Sequence, residues 1–291
     1  APTVSSVTTS GTGLSSGSGS LKAGAVITFT VNTNENVIVS NSTPTLTLSN
    51  GATASYTGAT GGSGSTALTF QYTVGSSDTS SSDLTVTAFN AGTATLTDAA
   101  GNSFNSSGAV TNPAGTLVID TVLPDAVDLS ATAGTQATAS VFVNSTEASS
   151  GKSIASGIQA PAATDISSIS LVLGGAGLDK TNDQLFLETT RALVANFSAT
   201  NITIGGIPGL NYSYTASSNT LVITRNAGGA FSTPNDIRTL LAAINFKTTS
   251  STQGDRTVAI SYTDLAGNTG TAGTSTLTVD TSAPTVSTVA I

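Results

Sequence analysis

Apolar residues recur at every second position through most of this chain. Ile27, Phe29 and Val31 alternate with Thr28 and Thr30, and Leu46 and Leu48 alternate with Thr45 and Thr47. Leu68, Phe70, Tyr72 and Val74 form a longer run, and Leu84, Val86 and Ala88 another. The pattern returns at Ile169-Leu171-Leu173, Leu185-Leu187, Ile202-Ile204, Leu221-Ile223 and Val258-Ile260-Tyr262, written here as alternate positions. A period of two sends one side chain into a core and the next into water, which predicts half-buried strands. Threonine suits the wet face because its β-branched side chain fits a pleated surface. Short strands broken by turns such as Asn50-Gly51 point to sandwiches. One segment has a different period. Thr233 offers a capping hydroxyl, Pro234 and Asp236 suit a first turn, and Ile237, Leu240, Leu241 and Ile244 follow at helical spacing. This predicts one short helix over 234–243, crossing an end of the second sandwich and plugging its core. Gly- and Ser-rich stretches at 10–20, 58–66 and 76–82 read as flexible loops.

A repeated junction divides the chain. Asp120-Thr121-Val122-Leu123-Pro124 matches Asp280-Thr281-Ser282-Ala283-Pro284, and each follows a similar strand, Thr116–Ile119 or Thr276–Val279. Upstream of each lies a second shared element, Thr97-Asp98-Ala99-Ala100-Gly101-Asn102 and Thr263-Asp264-Leu265-Ala266-Gly267-Asn268. The opening Ala1-Pro2-Thr3-Val4 returns as Ala283-Pro284-Thr285-Val286. Two copies of a strand–turn–strand–junction mean two modules, 1–121 and 122–281, with 282–291 beginning a third. The expected fold class is therefore all-β: two tandem immunoglobulin-like β-sandwich domains with one short helix in the second, a slice from an array.

Composition narrows the chemistry. Charged residues make up only 8% of the 291, the net charge is −8, and Ser, Thr, Gly and Asn dominate the rest. Such polarity can mark disorder, but the ordered alternation favours folding. The chain has no Cys, Met, Trp or His, so no disulfide framework exists, and each half is large enough to bury a core without one. Missing thiols fit large exported bacterial proteins. No run approaches the roughly 20 apolar residues of a bilayer span, so no membrane insertion is expected in this segment. With 16 acids against 8 bases, nucleic acid, which needs clustered Lys and Arg, is not an expected partner.

The first module resembles the immunoglobulin-like repeats of giant bacterial adhesins and related type I secreted proteins. The resemblance is carried by Leu21-Lys22-Ala23-Gly24, Pro44–Leu48, Ala67–Phe70, Asp83–Ala88, Asp98–Asn102 and the run from Gly108 to Asp120. The second is similar to the cadherin-like repeats of the same proteins, through Leu240–Phe246, Gly254-Asp255-Arg256 and Tyr262–Asn268. The resemblance implies an extracellular or cell-surface location, a spacer role in adhesion and biofilm, neighbouring repeats of the same chain as partners, and calcium at module boundaries.

Catalysis is the weakest reading, because Ser-His-Asp and Cys-His arrangements and the common zinc sites need residues this chain lacks. Its three glutamates, Glu35, Glu147 and Glu188, show no carboxylate-pair spacing for sugar hydrolysis. Calcium is the serious candidate. The first module has five acids, Glu35, Asp78, Asp83, Asp98 and Asp120, and in so charge-poor a sequence acids at recurring junctions are informative. Asp98 with Asn102, Asp120, Asp125, Asp128, Asp264 with Asn268, and Asp280 are the candidate ligands, since a hard cation draws several oxygens together. The oxygen-rich loop Asp179–Asp183 is a further one. The alternative is that Asp-x-x-Gly-Asn is a plain turn, with Asp and Asn bonding their own backbone and Gly taking positive φ. Six Asn-x-Ser/Thr matches, Asn144-Ser145-Thr146 among them, arise by chance in such a composition.

The leading expectation is a non-catalytic stalk module stiffened by calcium. A surface-layer or filament subunit that self-associates is the alternative. A sugar- or ice-binding module comes third, weakened for sugar by the missing Trp and for ice by the irregular strand spacing of threonine rows such as Thr93, Thr95 and Thr97.

Overall fold

The structure, a computed structural model, describes residues 1–130, 138–155, 157–187, 191–192 and 195–282. Glu188 and the expected third-module start at 283–291 lie outside these residues. Between Val122 and Leu123 the chain divides into two compact units, and each is a β-sandwich with its own apolar core.

The long alternating run from Val26 organises the first unit. Its strands are β1 (Val4–Ser10), β2 (Gly19–Leu21), β3 (Val26–Ser40), β4 (Thr45–Leu48), β5 (Thr53–Tyr56), β6 (Ser65–Thr73), β7 (Val86–Asn90), β8 (Thr95–Thr97) and β9 (Leu117–Ile119). They follow the order β1-β3-β6-β5-β4-β7, with β8 also on β3 and a short parallel pair β2-β9. Strand β3 serves two partners because its register breaks between Asn32 and Val37. A bulge there bends the strand, so its first half pairs with β6 and its second with β8. Ile27, Phe29, Val31, Val37 and Val39 are all buried along it. Edge-to-face contacts link Tyr56, Phe70, Phe89 and Phe104 at centroid distances of 5.4, 5.9 and 5.7 Å.

Here the alternation misleads at one point. It expects Ala88 to face inward with Leu84 and Val86, but the register shifts between Thr47 and Leu48, so Phe89 comes opposite the buried Leu46. One extra residue in β7 reverses the facing beyond Val86, and the larger Phe89 joins the aromatic chain.

The second unit has β10 (Thr138–Val143), α1 (Ser145–Ser150), β11 (Lys152–Ser153), β12 (Ile166–Gly174), β13 (Asp183–Leu187), β14 (Arg191–Ala192), β15 (Phe197–Ile204), β16 (Ile207–Thr215), β17 (Thr220–Arg225), α2 (Pro234–Ala242), β18 (Ile244–Thr248), β19 (Gly254–Asp264) and β20 (Gly273–Val279). A seven-stranded sheet, β10-β20-β19-β12-β17-β16-β15, and a four-stranded one, β11-β18-β13-β14, close over a single apolar core. Helix α2 carries the chain from β17 in one sheet to β18 in the other. Thr233 Oγ1 accepts from Asp236 N at 3.2 Å while Asp236 Oδ2 accepts from Thr233 N at 3.1 Å, and Ile237, Leu240 and Leu241 are buried. This reciprocal cap satisfies donors that the first turn otherwise leaves open.

The expectation of a single helix is corrected by α1. Asn144 Oδ1 accepts from Thr146 N and Glu147 N at 3.0 Å each, Glu147 returns the bond to Asn144 N, and Gly151 closes the turn at φ 107°. Its six residues bury only Ala148, so no apolar period announces it. The cap itself, Asn144 to Glu147, was readable.

Arg256 on β19 and Asp183 on β13 join the two sheets of this unit. Both side chains are fully buried, with Arg256 Nε donating to Asp183 Oδ2 at 2.9 Å. The guanidinium also donates to the carbonyls of Gly254 (2.9 Å) and Thr252 (2.8 Å), and Asp179 N donates to Asp183 Oδ2 at 2.7 Å. A buried pair so bonded is tolerable, whereas removing one partner strands a charge at about 3–5 kcal/mol. Arg256→Ala is therefore expected to destabilise the second unit by about that amount. Hydrogen exchange on the whole chain should show amides of 138–282 losing protection while those of 1–120 keep theirs. Unchanged exchange in β13 and β19 would show that the pair is dispensable.

Candidate cation-binding turns

The two Asp-x-x-Gly-Asn segments fold into the same turn. In the first unit it connects β8 to Ser103, where Asp98 N donates to Asn102 O (3.0 Å) and Gly101 N to Asp98 O (3.1 Å). Asp98 Oδ1 accepts from Ala100 N (2.9 Å) and Asn102 N (2.8 Å), and Oδ2 accepts from Asn102 Nδ2 (2.7 Å). In the second unit it ends β19. Asp264 N donates to Asn268 O (3.0 Å), Gly267 N to Asp264 O (3.2 Å), Asn268 N to Asp264 Oδ1 (2.8 Å) and Asn268 Nδ2 to Asp264 Oδ2 (2.9 Å). Gly101 and Gly267 sit at φ 88° and 87°, where a Cβ would be strained. The spacing follows from this geometry: Asp accepts, Gly reverses the chain, and Asn clamps the carboxylate.

The remaining candidates also accept main-chain donors, local ones for Asp120, Asp128 and Asp280 and distant ones for Asp125. Asp120 Oδ1 accepts from Val122 N at 3.0 Å, and Asp125 Oδ2 from Ala162 N and Ala163 N at 2.9 and 3.3 Å. Asp128 Oδ1 accepts from Ser130 N and Oγ at 2.9 and 2.6 Å, and Asp280 Oδ1 from Ser282 N at 3.0 Å and Ser282 Oγ. Within the second unit, Asp264 has a neighbour the sequence did not single out. Ile166 pairs with Asp264 in the β12–β19 ladder and Leu265 N donates to Asp165 O at 3.0 Å. Carboxylate oxygens of Asp165 and Asp264 thus come within 4.8 Å. Only strand register brings them together, and the sequence alone does not disclose register.

Calcium takes about six to eight oxygen ligands. The first-unit turn offers one carboxylate whose Oδ1 already accepts two bonds, and that set does not fit calcium by itself. The second-unit turn fits better. Asp264 is buried, and two carboxylates about 4 Å apart repel by about 1–4 kcal/mol, a penalty a hard cation reverses. Asp165 and Asp264 would hold such an ion, with the rest of its shell from carbonyls and water.

The Asp179–Asp183 loop holds a cation of another kind, the Arg256 guanidinium on Asp183. Asp179 Oδ2 accepts from Asn182 Nδ2 (2.9 Å) and Ser250 Oγ (2.7 Å). The Asn182 amide first, and then the Ser250 hydroxyl, hold its carboxyl down at about 2. Asp98 is likewise lowered, chiefly by the Asn102 side chain, and Asp280 by the Ser282 hydroxyl.

No family model matches the chain, and no curated protein matches it. Among solved structures it is similar to the fibronectin(III)-like modules of Clostridium thermocellum CbhA, at 11% identity over 94% of each chain with a TM-score of 0.30.

Depressed carboxylate pKa values couple folding to pH in one direction. Each such group contributes stability that is full above its unfolded pKa of about 3.9 and disappears as pH falls through the folded value. Stability is therefore expected to be insensitive to Asp98, Asp179 and Asp280 from pH 8 to 5. It should decline below about pH 4, with Asp179 titrating near 2. Denaturant midpoints measured across this range, with Asn102→Ala and Asn182→Ala as comparisons, check it. A decline that begins at neutral pH would contradict the assignment.

Proposed function

We propose that this chain is a non-catalytic spacer of a large bacterial surface adhesin, with calcium as its stiffening ligand. One observation carries the reading: two units end a strand in the same hydrogen-bonded Asp-x-x-Gly-Asn turn, the mark of a repeated module rather than of a reaction centre. Each unit has its own apolar core, so neither needs an ion to fold. The candidate acids Asp98, Asp264, Asp120 and Asp280 lie in strand-ending turns and at the repeated junction, where bound calcium restrains backbone rather than activating a substrate. The second-unit turn, with Asp165 beside Asp264, is the best-fitting ligand set, and Asp120 remains the junction acid of the same reading. Extracellular modules bind calcium with dissociation constants of about 10⁻⁴–10⁻³ M. At ten times that concentration, linkage is worth about 1.4 kcal/mol per site, enough to restrain a segment and too little to create the fold.

Calorimetric titration and small-angle scattering with calcium and with chelator test this. Expected are binding in the stated range, a broader scattering profile after chelation, and an unchanged β-sheet circular dichroism signal. Asp264→Asn should remove the binding heat, and Asp120→Ala should reduce the scattering response. Superimposable profiles with no heat would leave a spacer without calcium. Calcium-driven polymerisation would favour a lattice subunit instead.

A further inference from the structure

On the second unit a groove of about 820 Å³ is lined by β10, β11 and α2. Both strands are the outermost members of their sheets. Ser140, Val141 and Phe142 line the groove as a consecutive run. Side chains along a strand alternate between faces, so three in a row reach one cavity where the strand presents its edge. The pairing tells which groups that edge offers. β10 runs parallel to β20, and in a parallel ladder alternate residues direct both main-chain groups at the partner. Val143 O accepts from Asp280 N at 3.1 Å, so Val143 and Val141 face β20, and Ser140 and Phe142 turn their N–H and C=O outward.

Among the described residues this edge lacks the protection that sequence usually gives. The β10 sequence Thr-Ala-Ser-Val-Phe-Val has no charge and no proline, and Phe142 is 57% exposed, whereas free edges are ordinarily blunted by Lys, Pro or a bulge. The charge of the groove is also distinctive. Lys152 and Arg238 line it and, among the described residues, no carboxylate does, in a chain with 16 acids and 8 bases. Lys152 Nζ donates to Glu147 Oε1 at 2.5 Å, while Arg238 makes no ion pair with any described residue. A guanidinium in that position selects a carboxylate.

We propose that this groove accepts an extended, acid-bearing polypeptide strand from a partner protein, which adds to the free edge of β10. Main-chain bonds to Ser140 and Phe142 hold the strand, the Phe142 ring covers one of its apolar residues, and Arg238 pairs with one of its acids, the division of labour expected of strand addition.

Fluorescence anisotropy on the whole chain tests this with a dye-labelled peptide of alternating Val and Glu, and a Val and Lys counterpart. The Glu peptide should bind, with the Lys peptide at least about tenfold weaker. Ser140→Pro removes an outward N–H and leaves the β20 ladder intact, so it should weaken binding about tenfold or more with the melting curve unchanged. Arg238→Glu, on the exposed face of α2, does not endanger the fold and should invert the preference between peptides. Binding of neither peptide, or indifference to both substitutions, overturns the proposal. Dimerisation of the chain that Ser140→Pro abolishes would replace the partner with a second copy. Displacement of the peptide by free glucuronate at equal concentration would make this a small-anion pocket, and also overturn it.

Discussion

Both units depend on one interaction, the carboxylate that accepts main-chain N–H groups inside a turn. Asp98 and Asp264 close the matching turns and Asp78 Oδ2 accepts from Gly75 N at 2.7 Å, while Asp83 Oδ1 does the same between separate segments, accepting from Leu117 N at 3.0 Å. A sandwich must reverse its chain many times, and every reversal leaves main-chain donors that a strand ladder cannot reach. A carboxylate serves several at once and bonds more strongly than a hydroxyl. With charged residues at only 8%, acids stand where the backbone needs them, which is why so few suffice.

That economy made the strands easy to read and the acids hard to interpret. Alternation located β3, β6, β12 and β19 because each has one buried face, and it located α2 because Pro234 and Asp236 mark its start before an apolar stripe. It failed at Phe89, where a bulge in pairing has no local signature, and at α1, whose short polar turn rests on a cap alone. The site was legible in part for the same reason. Repetition pointed to Asp98 and Asp264, but Asp165 reaches Asp264 through strand register, and the Arg256–Asp183 pair joins residues 73 positions apart. No spacing rule reports such contacts.

The turn bonds also set the terms on which a cation can enter. Each N–H already on a carboxylate occupies a lone-pair direction and offsets part of its charge, so a self-closed turn such as Asp98–Asn102 gains little from an ion. A second carboxylate changes the balance, because its repulsion is not answered by the turn's own donors. The two copies of one motif are thus chemically unequal, although their internal hydrogen bonds are nearly the same. What separates them is the residue that the neighbouring strand brings alongside.

A similar distinction governs the basic residues. Arg256 is sealed between two sheets with carbonyls and a carboxylate around it, so its charge fixes how those sheets meet and is not available to any partner. Lys247 lies over the Phe186 ring at 4.3 Å and Lys152 is paired with Glu147. Their charges are answered within the fold, and in each case the partner lies on a neighbouring element, so the contact also restrains that element. Arg238 differs because it projects from the polar face of α2, whose opposite face is anchored by Ile237, Leu240 and Leu241. That anchoring sets the backbone position of Arg238 beside the groove, while its exposed side chain keeps its rotamer freedom. Strand recognition draws on a charge beside a backbone edge, and in this unit the two occur at the same groove.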